Sequence, residues 1–289
     1  MPTFPYHVVD VFTDRPFAGN PLAVVLDADD LPTEAMQTIA REFNLSETTF
    51  PMQSAVADYR LRIFTPIREL AFAGHPSVGT AWLLAQLRRI QVGEVRQECA
   101  VGVLPIEVTD TGATLTGGPT SHGEALDPAP LLSLFGLDPA AADGPPPRAA
   151  SSGTSFLYLP VPPDAIGRLG VPEQAALQRI TAEAGVNGIV AFVWDPRQLR
   201  SHARVFVPGI GEDPATGSAA VGFGVYLAAS NLVDPDGTTA YRIDQGSEIL
   251  RPSALSCTVS CTAGTVVKTT VAGEVHRVAS GELIRPPSA

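Results

Sequence analysis

Hydrophobic and polar positions alternate over many short stretches of this chain, and only a few stretches carry a helical period. The alternation predicts strands over residues 6–12, 22–26, 45–50, 58–64, 94–99, 104–108 and 113–116. In the second half it predicts strands over 155–159, 188–194, 203–207, 241–244, 255–262, 264–271 and 274–279. A helical period begins at Thr33, where Ala35, Met36, Ile39, Ala40 and Phe43 form one apolar face, with Thr33 as the cap and Asn44 as the stop. Further helices are expected from His75 or Pro76 to Leu87, over 173–184, and along the apolar run 221–229. That last run is apolar nearly all round, which suits a helix enclosed by sheet rather than one lying on a surface. Residues 119–147, rich in Pro, Ala and Gly with one short apolar segment at 131–135, read as a crossover between two halves.

One device occurs twice. Arg62-Ile63-Phe64-Thr65-Pro66 leads to Gly74-His75-Pro76-Ser77-Val78-Gly79-Thr80-Ala81, and Arg204-Val205-Phe206-Val207-Pro208 leads to Gly211-Glu212-Asp213-Pro214-Ala215-Thr216-Gly217-Ser218-Ala219. Laid HPSVGTA against DPATGSA, each copy reads strand, glycine-bearing loop, capping polar residue, proline, small residues and apolar helix, so an internal duplication is expected. In this alignment Asp213 is an N-cap with Pro214 at the first helical position, and His75 is its counterpart. Two helix starts of this kind, facing one cleft, would offer unpaired N–H groups and positive dipole ends to an anionic or oxygen-rich ligand.

The length of 289 residues suits two modest domains, divided here as 1–118 and 119–277, with 278–289 as a candidate completion of the first half. A formal charge of -11 argues against nucleic acid or an anionic membrane as partner. No basic-then-apolar leader and no apolar stretch of spanning length is present, so a soluble cytoplasmic protein is expected. Of the three cysteines, Cys257 and Cys261 share one face of a strand and read as small buried residues rather than a metal pair. Neither a P-loop, a Gly-x-Gly-x-x-Gly unit nor a Gly-x-Ser-x-Gly elbow is present, and Gly222-x-Gly224 reads as close helix packing.

Four stretches, ordered along most of the chain, resemble the PhzF family of phenazine-biosynthesis-like isomerases: VDVFTDRPFAGNPLAVVLD from Val9, NLSETTF from Asn44, RIFTPIRELAFAGHPSVGTA from Arg62, and GEDPATGSA from Gly211. The resemblance implies an α+β fold of the diaminopimelate epimerase type. It has two pseudo-symmetric halves, each a curled sheet wrapped around a central helix, with the active site in the cleft between them. It also implies a homodimer acting on a small-molecule substrate without metal or organic cofactor. Carried over residue by residue, it makes Glu47, His75 and Asp213 catalytic and places Gly74, Gly217 and Ser218 at the substrate. Leu250, before Arg251-Pro252-Ser253, departs from the family pattern, where glycine is expected.

The implied chemistry is a proton shift of the trans-2,3-dihydro-3-hydroxyanthranilate isomerase kind, for which one carboxylate can remove a proton and return it elsewhere on the same face. Burial would make Glu47 basic enough for that work, and helix-start N–H groups could hold a carboxylate or a developing enolate oxygen. His75 would aid proton delivery and Asp213 would grip a hydroxyl or amino group. Taken singly, each residue has a plainer reading: Asp213 as a cap, His75 as a structural histidine, Ser218 as a small packing residue, Glu47 as a solvated carboxylate. Two rival functions are an inactive ligand-binding member of the fold and an amino-acid racemase or epimerase; the second is disfavoured because no cysteine falls at either helix start.

Overall fold

A computed structural model describes residues 3–142 and 144–287. The chain divides into two compact units, one running up to Leu115 and resuming at Ala272, the other spanning Thr116–Val271. The first unit contains β1 (Thr3–Val11), β2 (Asn20–Val25), α1 (Thr33–Phe43), β3 (Glu47–Met52), β4 (Tyr59–Phe64), β5 (Glu69–Leu70), α2 (Gly74–Gln86), β6 (Gly93–Cys99), β7 (Gly102–Val108) and β8 (Gly112–Thr116). The second follows with β9 (Thr120–His122), α3 (Pro128–Leu134), β10 (Arg148–Ser152), β11 (Ser155–Pro160), α4 (Gln174–Ala184), β12 (Ile189–Asp195), β13 (Arg200–Val207), β14 (Gly211–Asp213), α5 (Gly217–Ala229), β15 (Gly237–Gln245) and β16 (Ser253–Thr262). A final strand, β17 (Thr265–Ile284), begins in the second unit and ends in the first.

In the first unit the strands close on themselves. β1 pairs antiparallel with β2, β2 parallel with β3, β3 antiparallel with β4, β4 parallel with β6, β6 antiparallel with β7 and β7 with β8. β8 meets the later part of β17, which returns to β1. The ring therefore has no open edge, and α2 runs inside it with every residue from Gly74 to Ala85 buried. An enclosed helix needs no polar face, which is why this sequence carries none. Outside the ring, Met36, Ile39 and Ala40 of α1 pack on Phe50 and Phe64.

The second unit repeats this order. β10 to β13 pair antiparallel, parallel and antiparallel in turn, β13 takes β15 in parallel, and β15 pairs antiparallel with β16. β17 follows β16, and the amide of Gly117, just before β9, donates to the Thr269 carbonyl at 2.9 Å. Here α5 is the enclosed helix, and Leu177 of α4 packs with Leu157, Ile189 and Phe206 on the outside. Gly222 and Gly224 are packing glycines as expected. A side chain at Gly222 would meet the Tyr158 hydroxyl at 2.3 Å, and one at Gly224 the Tyr241 hydroxyl at 2.9 Å. Those two hydroxyls donate to the Ala219 and Ala220 carbonyls and hold the first turn of α5.

The duplication is present, but its register differs from the expected one. In the β4–β5 hairpin Glu69 lies opposite Phe64, and in the β13–β14 hairpin Glu212 lies opposite Phe206; five residues later each copy starts its enclosed helix, at Gly74 and at Gly217. His75 is therefore matched by Ser218, and Asp213 by Leu70. The capping assignment changes with it: Asp213 ends β14, Thr216 is the N-cap, and helix begins only at Gly217. Small residues and prolines match at several offsets, so strand pairing rather than composition decides the register. Thr33 likewise is the first residue of α1 and not its cap: the extended Pro32 holds the cap position, and the Thr33 hydroxyl accepts from the Arg62 guanidinium at 2.9 Å.

Candidate active site

β2 and β3 run parallel, with Leu22 opposite Glu47, so the start of β2 and the start of β3 lie side by side. That places Asn20 next to Ser46 and Glu47, and the first turn of α2 brings His75 onto the same spot. Ser46 Oγ donates to Asn20 Oδ1 at 3.0 Å, Asn20 Nδ2 lies 3.3 Å from His75 Nδ1, and His75 Nε2 lies 3.5 Å from Glu47 Oε2. Asn20 is fully buried, and Glu47 and His75 are 8% and 5% exposed. Glu47 is thus a buried carboxylate facing an imidazole, not the solvated side chain that glutamate usually is. Of the first-turn amides of α2, those of Gly74 and His75 remain outside the helical bonding pattern, and Pro76 has none.

Burial pushes the His75 imidazole down from its ordinary 6.5 to about 3, so the ring is neutral at neutral pH. Between those values the folded chain binds fewer protons than the unfolded one. Stability contributed by His75 is therefore complete above the unfolded value and falls as the pH drops through the acid range, by about 1.4 kcal/mol per pH unit. His75→Asn is expected to flatten that acid limb in urea unfolding followed from pH 7 to pH 4. An unchanged slope would mean that the folded protein protonates His75 freely.

In the second unit, Asp213 is 7% exposed and accepts a hydrogen bond from Thr216 Oγ1 at 2.5 Å. Gln245, at the end of β15, donates through Nε2 to the Asp213 carbonyl at 2.7 Å and accepts from the Thr216 amide at 3.2 Å. This amide clamp, supplied from about thirty residues away, keeps residues 213–216 out of the helix. Ser218, half-buried, occupies the second position of α5 after the buried Gly217. The structure thus brings Glu47, His75 and Gly74 together in one unit, and Asp213, Gly217 and Ser218 together in the other.

The copies differ where chemistry would lie. Thr48 faces Phe64 across the β3–β4 hairpin as Ile189 faces Phe206 across β12–β13, so Gly188 stands where Glu47 would be repeated. No side chain fits there: a Cβ at Gly188 would lie 2.6 Å from the Phe206 carbonyl oxygen. One carboxylate and one imidazole sit in the first copy, and a glycine and a serine replace them in the second. The sequence pattern singles out neither Asn20 nor Gln245, whose contacts with Ser46 and Thr216 come from distant parts of the chain.

The family described as phenazine biosynthesis-like protein matches residues 9–281. The chain belongs to this PhzF family. It is 35% identical to an uncharacterized isomerase of Mesorhizobium japonicum, over 98% of this chain and 99% of that one. With the trans-2,3-dihydro-3-hydroxyanthranilate isomerase of Pseudomonas fluorescens it shares 33% identity, over 96% and 99%. The crystal structure of a PhzF family phenazine biosynthesis protein from Bacillus anthracis superposes with a TM-score of 0.90 at 28% identity, covering 98% of this chain and all of the other.

The departure from the PhzF pattern at Leu250 has a backbone meaning. Leu250 adopts φ 59° and ψ 26°, in the left-handed region, with its side chain 84% exposed. Glycine occupies that region at little cost, whereas leucine is strained there by about 1–2 kcal/mol, less the entropy a glycine loses on folding. Leu250→Gly is expected to raise stability by about 0.5–1 kcal/mol in urea unfolding. A loss of stability would show that the exposed leucine makes a contact worth more than its strain.

Proposed function

We propose that this isomerase moves a proton between two carbons of one small cyclic acid or amino-acid-like substrate, in the manner of a dihydro-hydroxyanthranilate isomerase. The observation that carries the reading is the buried Glu47 carboxylate set against a neutral His75, with Gly188 at its repeat. Glu47 takes a proton from a hydroxyl-bearing ring carbon, leaving a delocalised carbanion. The protonated Glu47 then returns that proton to another carbon of the same face, which gives a neutral enol; the enol moves its O–H proton to carbon through solvent and becomes a ketone. No electrons are gained or lost, and no second base is required. His75, uncharged, serves as a hydrogen-bond donor to Glu47 or to the developing oxygen rather than as an imidazolium acid. Gly74 and Gly217 contribute first-turn amides toward substrate oxygens, Ser218 a hydroxyl, and Asp213 a carboxylate for a substrate hydroxyl or amino group.

A racemase in this duplicated fold would draw one base from each copy. Serine at 218 and glycine at 188 supply none, which favours the single-base shift. The same reading makes the protein a cytoplasmic homodimer, to be checked by light scattering of the purified chain. Among the described residues no helix is long and apolar enough to cross a membrane. The decisive experiment is deuterium incorporation from heavy water into a panel of dihydro-hydroxyanthranilate-like rings and cyclic amino acids. Exchange at a ring carbon supports the proposal; binding of a panel member without exchange would instead mark the chain as a ligand-binding protein.

A further inference from the structure

His75 is held by a hydrogen-bonded row that begins two residues outside the proposed catalytic set, and its far nitrogen lies beside Glu47 without a formed hydrogen bond. An uncharged imidazole has one N–H and one bare nitrogen, and which nitrogen carries the proton is set by the partner of the other. His75 Nε2 is buried and points at Glu47 Oε2, 3.5 Å away. A carboxylate only accepts, so this approach is attractive when Nε2 carries the hydrogen and repulsive when it is bare. The other nitrogen, Nδ1, faces the Asn20 amide nitrogen at 3.3 Å, and an amide nitrogen only donates. The amide is turned so that its Oδ1 accepts from the Ser46 hydroxyl at 3.0 Å and its nitrogen faces the ring. In that arrangement both ends of the imidazole favour the same tautomer.

We infer that Asn20, anchored by Ser46, is a positioning residue that fixes His75 as the Nε2–H tautomer and so aims its one proton at Glu47. This rests on the roles proposed above for Glu47 and His75, and it adds the direction of the donor. Asn20 touches no substrate in this scheme; it acts through His75. Its burial suits that part, since a fully buried amide can neither rotate into water nor exchange its partners. The loop before it is tied down as well: the Phe17 amide donates to the Asp10 carboxylate at 2.6 Å, three residues ahead of Asn20. In the second copy Ser218 stands at the histidine position, where there is no ring to orient, and Thr154 stands three residues before Leu157 as Asn20 stands three before Ala23. The orienting amide thus occurs in the copy that holds the imidazole.

The test is nitrogen NMR of the full chain labelled at its five histidines, with His75→Asn used to assign the ring signals. The wild-type ring is expected to show a protonated Nε2 and a bare Nδ1. Asn20→Asp keeps the size but replaces the donor with an acceptor, so the proton is expected to move to Nδ1. Turnover of the substrate found by the exchange panel should then fall about 10²-fold or more in kcat with KM little changed, as expected when a catalytic histidine is held in the wrong tautomer. Ser46→Ala, a gentler change, is expected to give a mixture of tautomers and an intermediate kcat, and it serves if Asn20→Asp does not fold. A wild-type ring protonated at Nδ1, or a ring that stays protonated at Nε2 in both variants, would overturn the inference. A tautomer that flips while kcat holds would leave the orienting contact intact and overturn the role given to His75 in the reaction.

Discussion

Glu47→Gln is expected to lower ring-proton exchange by roughly 10³- to 10⁴-fold, the upper range for loss of a positioned general base, while ligand affinity changes only a few-fold. The change keeps the volume and one acceptor oxygen at the start of β3, so the buried contact with His75 Nε2 survives and the fold is not at risk. What disappears is the group proposed to carry the proton out and back. The repeat position offers no substitute, because Gly188 replaces the carboxylate there and has no room for one. Exchange read by mass spectrometry in heavy water, beside binding read by calorimetry, separates the two effects. A variant that still exchanges within tenfold of wild type would move the base elsewhere, and Asp213 would be the next residue to examine.

Glu212→Gln is expected to destabilise the chain by about 3–5 kcal/mol, and Glu69→Gln by about 1 kcal/mol or less. The duplication supplies this comparison. Arg62 holds Glu69 through two bonds of 2.7 Å, and Arg204 holds Glu212 through bonds of 2.8 and 2.5 Å. Both guanidinium groups lie over the phenylalanine two residues on, at 5.1 and 5.3 Å. The burial differs: the side chains of the first pair are 16% and 39% exposed, those of the second 5% and 3%. Water can replace Glu69 around Arg62. Around Arg204 it cannot, and what remains is the pair of neutral carbonyls of Ile166 and Leu169 with the more distant charge of Glu248. Urea unfolding of the two variants, with m-values compared, gives the answer. Equal losses would mean that geometry rather than burial sets the worth of the pair.

These pairs also show how far sequence patterns reach. Arg62 and Arg204, Phe64 and Phe206, and Pro66 and Pro208 announced the repeat. Yet they lie on strands whose partners fix the register, and the helix-start residues by themselves matched at an offset five residues too short. The single strand β17 was read as two because Ala272-Gly273 interrupts the alternation; Phe12 packs against Gly273, where a Cβ would lie 2.2 Å from its ring, so the strand passes without a break. β10, with the sequence RAASS, shows too little apolar pattern to be seen, and its small residues let α5 approach the Ala150 carbonyl.

Local chemistry was enough to determine the strand-rich α+β class, the extents of α1 and α4, the burial of Cys257 and Cys261 and the presence of a repeat. Periodicity and turn residues act within a few positions, and the sequence displays them directly. The site was legible in part: His75 stood out at a helix start, and Glu47 entered through the resemblance of NLSETTF to its family. Only the tertiary structure decided that Asn20 and Ser46 orient His75, that Gln245 holds Asp213 out of the helix, and that the carboxylate occurs in one copy alone. Each of these depends on contacts across tens of residues, where a hydrogen bond of about 3 Å has no signature in the order of the chain.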